Sequence, residues 1–255
     1  MGFAIPRNPP STVALEGHFT HRMLHTRGVR LHVAEAGEQS NPLVVLVHGA
    51  LGGWFDFKDV IAPLADRGYH VASLDLRGYG MSDKPATRAG DALRILSGDI
   101  AGVVRTLGQK RATVVGSDTG AVIARAAQQR YPDLVGSVVA LPASRGLFAA
   151  ASCLPSQLLR VQPRTLERLW RANLTADTTA PFHGTERFEE ALRLRLAGAQ
   201  IDHALPHIVA TSRLRPMFAA RSGAHDCAIV GPGRLPHVED PEAFVRGVVE
   251  QALIS

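Results

Sequence analysis

Three short stretches carry residues able to do chemistry, and each follows a continuous apolar run. Gly116-Ser117-Asp118-Thr119-Gly120 comes after the apolar Thr113 to Val115 and before a helical pattern. Glycines two positions either side of Asp118 permit a very tight strand-to-helix turn. Such a turn lifts the central side chain above a sheet and sets it beside the free N–H groups of the helix start. A carboxylate held there is equipped as a nucleophile or as a general base. The plainer alternative is a turn or cap residue. The other two stretches are His48-Gly49-Ala50-Leu51-Gly52-Gly53 and Asp75-Leu76-Arg77-Gly78-Tyr79-Gly80-Met81-Ser82.

The elements that must position these loops can be read from periodicity. Val29, Leu31 and Val33 alternate with polar neighbours, which predicts a half-buried strand. Leu43 to Val47 is apolar throughout, as expected of a strand covered on both faces. Similar runs at Val71 to Leu76, Thr113 to Val115, Val138 to Leu141, His207 to Ala210 and Cys227 to Val230 predict further strands. Ile100, Val103, Val104 and Leu107 follow helical spacing, and Ala121 to Arg130 reads as a compact helix ended by Tyr131-Pro132. Buried strands alternating with helices imply a mostly parallel, doubly covered sheet, because parallel neighbours need long crossovers. Ligands collect at the carboxyl ends of the strands in such a sheet. Between about Arg145 and Ala204 the alternation stops, and helical pieces at Pro163 to Arg171 and Glu186 to Leu196 predict an inserted reduced helical cap. The expected organisation is a loose lead-in over residues 1–18, an α/β core over 19–144, the cap over 145–204 and the rest of the core over 205–255.

These residues resemble the α/β-hydrolase superfamily, in the branch with an aspartate at the nucleophile elbow: the epoxide hydrolases and haloalkane dehalogenases. The resemblance runs from His18 to about Leu141, through His48-Gly49, Trp54-Phe55-Asp56-Phe57-Lys58 and Asp75 to Pro85. It resumes at Leu205, where Leu235-Pro236-His237-Val238-Glu239-Asp240-Pro241 looks like the approach to the family's last helix. It implies an α/β-hydrolase fold without a cofactor, in which Asp118 attacks an electrophilic carbon. A water activated by a histidine then hydrolyses the resulting ester. Backbone N–H groups of Thr119 and of the Ala50-Leu51 loop would stabilise the oxyanion, with His48, Trp54 and Ser117 around the pocket.

Several family positions are substituted. The histidine of the pattern directly follows a glycine before the last helix, and Arg234 stands there, after Gly233. An arginine is no base near neutral pH. His237, three residues on, is the candidate replacement. Neither expected position of the orienting acid holds a carboxylate: one reads Thr211-Ser212-Arg213-Leu214-Arg215 and the other Pro142-Ala143-Ser144, while Asp226 lies before the last expected strand. The tyrosines, Tyr69, Tyr79 and Tyr131, all lie outside the cap, and Thr119 replaces the tryptophan with which dehalogenases hold halide.

Composition sets the wider limits. The 255 residues are 45% apolar and 20% charged, typical of a globular domain. The 28 basic residues exceed the 23 acidic ones without forming any basic run, which argues against nucleic acid as a partner. No segment offers the uninterrupted apolar length of a membrane helix. Two cysteines, Cys153 and Cys227, suit a reduced cytoplasmic setting and no zinc site. His18, His21 and His25 do not share one face of an alternating strand, so no metal site is expected there. The leading expectation is an epoxide-hydrolase-like enzyme acting on a small hydrophobic molecule through Asp118 as nucleophile or base. The alternatives are a catalytically degenerate relative that binds a ligand or partner, and a non-hydrolytic isomerase, lyase or cyclase. The oligomeric state is not set by the sequence.

Overall fold

A computed structural model describes residues 7–86, 91–142, 163–214 and 231–252. Six strands form one sheet: β1 (Thr20–Thr26), β2 (Val29–Ala36), β3 (Leu43–Val47), β4 (His70–Leu74), β5 (Ala112–Gly116) and β6 (Val135–Ala140), in the order β1-β2-β4-β3-β5-β6. β1 and β2 run antiparallel to their neighbours, and β4, β3, β5 and β6 are mutually parallel. Every residue of β3 and β4 is buried; β3 is apolar throughout, and in β4 the Ser73 hydroxyl donates to Trp54 O at 2.9 Å. β2 is covered more fully than its alternation suggests, because His32, Ala34 and Glu35 are buried as well. His32 Nδ1 lies 2.8 Å from the Asp75 carboxylate and Glu35 accepts from His70 at 2.7 Å, so these polar residues tolerate burial through partners.

Helices α1 (Lys58–Ala65), α2 (Ala92–Thr106) and α3 (Thr119–Arg130) supply the crossovers. The chain continues through α4 (Pro163–Asp177), α5 (Glu186–Ala199), α6 (Ala204–Ser212), the single turn α7 (Pro236–Glu239) and α8 (Pro241–Ala252). α1 packs with α8, and α2 with α3, giving the sheet two helical layers. Among the described residues no helix is long and apolar enough to cross a membrane.

Register is what places the loops. Val47 pairs with Leu74 on one side and with Gly116 on the other, so the loops opening at His48, Asp75 and Ser117 leave the sheet side by side. The chain steps from β3 to β4 on one flank and returns to β5 on the opposite flank. That reversal opens a crevice above β3 and β5.

Two expectations are corrected here. The run His207 to Ala210 is part of helix α6, not a strand, and residues 204–212 extend the helical region past the expected boundary. A short run apolar on every side does not distinguish a buried strand from a buried helix. The lead-in is also not loose in its described part. Asn8 bridges to Ile201, its N–H donates to Gln200 O at 3.0 Å, and a 3-10 turn at Pro10–Val13 buries Val13 completely. The expected strand Cys227 to Val230, Asp226 and both cysteines lie outside the described residues.

Candidate active site

Asp118 stands where β5 turns into α3, with φ 51° and ψ −118°. A positive φ at a non-glycine residue is strained, and such strain persists only where surrounding structure enforces it. The enforcement is visible in the flanking glycines. A Cβ on Gly120 would come within 2.3 Å of Val47 O, and one on Gly116 within 2.5 Å of Ala121 N. Helix α3 therefore presses directly on β3 and β5, and the turn has no room to relax. Its side chain is only 5% exposed.

Around this carboxylate the first loop folds into a turn closed by Gly52 N–H donating to Gly49 O at 3.1 Å. The N–H groups of Ala50, Leu51 and Thr119 donate to no backbone acceptor among the described residues. Thr119 is the first residue of α3, so its N–H is one of the helix's orphan donors and carries part of the positive end of the helix dipole. The expected oxyanion groups thus lie on the two loops that flank the crevice.

A cavity with about 20 Å³ open to water adjoins Asp118. That is room for about one water molecule. Ser117, Gly49 and Leu51 line its core side. The Ser117 hydroxyl is buried with no hydrogen-bond partner among the described residues. The cap contributes Asn173 and Asp177 of α4 and Arg195 of α5 to the lining. Asn173 Nδ2 donates to Asp177 Oδ2 at 2.9 Å, and Arg195 forks onto both oxygens of Asp56 at 3.0 Å each, with 5% and 3% of the two side chains exposed.

Sequence reading missed Asn173, Asp177 and Arg195, although their spacing carries a signal. Leu166, Trp170, Asn173 and Asp177 form one stripe of α4, and Phe188, Leu192, Arg195 and Ala199 one stripe of α5, all buried. Polar residues that continue an apolar stripe are buried and need partners.

Other expected residues lie elsewhere. His48 is fully buried beneath the loop, not at the cavity wall. Leu76 N–H donates to its Nε2 at 3.1 Å, which leaves Nδ1 to donate to Gly49 O at 2.7 Å. Burial holds this imidazole below its ordinary range, in the neutral form that both bonds require. It braces the turn. Trp54 is likewise buried away from the cavity, donating from Nε1 to Val13 O at 3.0 Å. His237 is fully buried and stacks on Phe57, with ring centroids 4.3 Å apart. Neither of its nitrogens has a partner among the described residues, and burial pushes it down to about 3. It does not line the cavity beside Asp118. Arg234 N–H donates to Asp177 O at 2.9 Å. His21, expected to be free of metal, has its Nδ1 2.8 Å from His32 Nε2.

A family model described as the alpha/beta hydrolase fold matches residues 42–197, more than half of the chain. The chain belongs to the alpha/beta hydrolase fold family. It is similar to Epoxide hydrolase A of Mycobacterium tuberculosis, with 41% identity over 141 residues, covering 55% of this chain and 43% of that protein. The chain spans less than half the length of the curated relatives it matches. Among solved structures, Cfl2 from Burkholderia cenocepacia superposes with a TM-score of 0.77 at 19% identity, covering 98% of this chain and 99% of that one. The epoxide hydrolase CorEH superposes with 0.71 at 21% identity, covering 93% and 100%. At these identities the superpositions speak for the fold. The sequence relatives with 41% and 39% identity are epoxide hydrolases by name.

Proposed function

We propose that this protein is a cytoplasmic hydrolase of the epoxide-hydrolase type, acting on a small hydrophobic molecule through Asp118 as nucleophile. The observation that carries the reading is the strained, buried turn at Asp118, set beside orphan N–H groups at the mouth of the crevice. Epoxide hydrolase A, the relative with 41% identity, agrees with it by name. Leu51 and Leu235 supply the apolar part of the described wall.

In the first step a carboxylate oxygen of Asp118 bonds to an epoxide carbon, the carbon–oxygen bond of the ring breaks, and the alkoxide takes a proton from water. In the second, water adds to the carbonyl carbon of the ester, and the oxyanion meets the N–H groups of Thr119 and Leu51. Collapse then releases a diol. Oxygen from water enters Asp118 during the first turnover and reaches the diol only in later ones. A single turnover in ¹⁸O-water with styrene oxide therefore labels the peptide containing Asp118 and leaves the diol unlabelled. Label in the diol assigns Asp118 the part of a base instead. If the parent forms neither adduct nor product with epoxides, esters or alkyl halides, while a ligand raises its melting temperature, the protein is a binding relative and the reading is wrong.

A further inference from the structure

We propose that Asp177, on the cap helix α4, is the group that activates water to release the ester from Asp118, in place of the histidine that Arg234 replaces. The proposal rests on Asp118 being the nucleophile. Asp118 and Asp177 both line one cavity, the first from the core and the second from the cap. That cavity has room for about one water, the molecule the second step consumes. The Ser117 hydroxyl is an independent sign that a small polar ligand belongs there. It lines the same space, is buried, and has no hydrogen-bond partner among the described residues.

Asp177 is 3% exposed, and Asn173 one turn earlier donates to its Oδ2 at 2.9 Å. That bond orients the carboxylate, whose two oxygens offer about four acceptor sites in all. The replaced position is tied to the same residue. Arg234 N–H bonds to Asp177 O, and Thr179, two residues further on, donates through N–H and hydroxyl to Glu239 at 2.9 and 2.7 Å. The segment in which the family pattern puts its histidine therefore docks on the end of α4 and fixes Asp177 against the cavity. His237 takes no part, stacked on Phe57 away from this wall.

The step balances without a co-reactant. Asp177 accepts one proton of the water as its oxygen bonds to the ester carbonyl carbon. The bond to the substrate oxygen then breaks, and that oxygen takes the proton back from Asp177. The second proton of the water stays on the Asp118 carboxyl and leaves to solvent.

The test separates attack from release, with styrene oxide followed by intact mass and product formation. Asp177→Asn retains an amide oxygen able to accept from Asn173, so the wall keeps its shape. This variant is expected to form the adduct at a rate close to the parent's and to accumulate it, with turnover reduced about 10²- to 10⁴-fold, the range for loss of a general base. Asp177→Ala opens space for a small carboxylate, and added formate is expected to restore adduct hydrolysis in proportion to its concentration. A residue that merely holds the cap would not respond to formate. The proposal is overturned if Asp177→Asn turns over at the parental rate, or if formate leaves the Asp177→Ala adduct unchanged. Failure of the underlying reading looks different: the parent itself forms no adduct, or Asp118→Asn retains turnover.

Discussion

A fully buried imidazole resists taking up a charge, and His237 is one, with neither nitrogen bonded among the described residues. Its ordinary value is 6.5, and burial pushes it down to about 3, with Asp56 and Arg195 acting on it in opposite directions. In the unfolded chain the ring takes up a proton below pH 6.5, whereas the folded chain refuses it until about pH 3. The contribution to stability is therefore complete above pH 6.5 and is lost as the pH falls towards 3, at about 1.4 kcal/mol per pH unit. His237→Leu, measured by urea unfolding, should flatten stability between pH 6.5 and 4 and should exceed the parent most at the acid end. Unfolding curves that shift in parallel at every pH would rule this out. At Asp118 the strain itself is measurable. Asp118→Gly and Asp118→Ala both remove the carboxylate and differ in one methyl group. With φ at 51°, the glycine variant is expected to be the more stable by about 1–3 kcal/mol, the reverse of the usual order. Asp118 was legible in the sequence because its glycine neighbours report a close approach of backbones, which is a local property. Arg195 was not, because Asp56, the partner that explains its burial, lies 139 positions away along the chain.

Between elements, the cap is joined to the core by a buried ion pair. Arg195 of α5 reaches Asp56, in the turn just before α1, with two bonds of 3.0 Å. Removing one partner from such a pair leaves an uncompensated charge in the interior and costs about 3–5 kcal/mol. Arg195→Met should lower stability by about that amount in denaturant titrations. Adding Asp56→Asn should recover part of it, since the stranded charge is then gone. A double variant that costs the sum of the two single ones would show that the residues act independently. The strands β3, β4 and β5 could be read from sequence because they are almost wholly buried and predominantly apolar. Helix α6 could not, since Ile208, Val209 and Thr211 favour a strand by local preference while their tertiary setting makes them helical. The error is consequential for the site. A strand there would have put an acid in the loop after it, whereas the cap carboxylate that lines the cavity, Asp177, comes from α4.

For the molecule as a whole, the described residues before β1 act as a strap over the joint between core and cap. Asn8 donates through its N–H to Gln200 O at 3.0 Å, and its Nδ2 lies 3.3 Å from Gln200 Oε1 and 3.4 Å from Ala197 O, both at the end of α5. Five residues later Val13 is fully buried, and its carbonyl accepts from Trp54 Nε1 at 3.0 Å. Trp54 follows Gly52 and Gly53 of the turn after β3 and lies two residues before Asp56, so the strap, the turn and the ion pair meet at one place. Trimming the strap at Val13 removes buried apolar contact, and truncating a buried aliphatic side chain costs about 1–3 kcal/mol. Val13→Ala should therefore lower the melting temperature measurably. A chain starting at Ala14 should lose more, because it also strips the buried Trp54 N–H of its acceptor, a loss of about 1–3 kcal/mol by itself. Tryptophan fluorescence provides the local readout: removal of the strap should shift emission to the red as Trp54 meets water, while Val13→Ala shifts it less. Equal melting temperatures for the shortened and parent chains would mean that the strap lies on the surface without holding the joint.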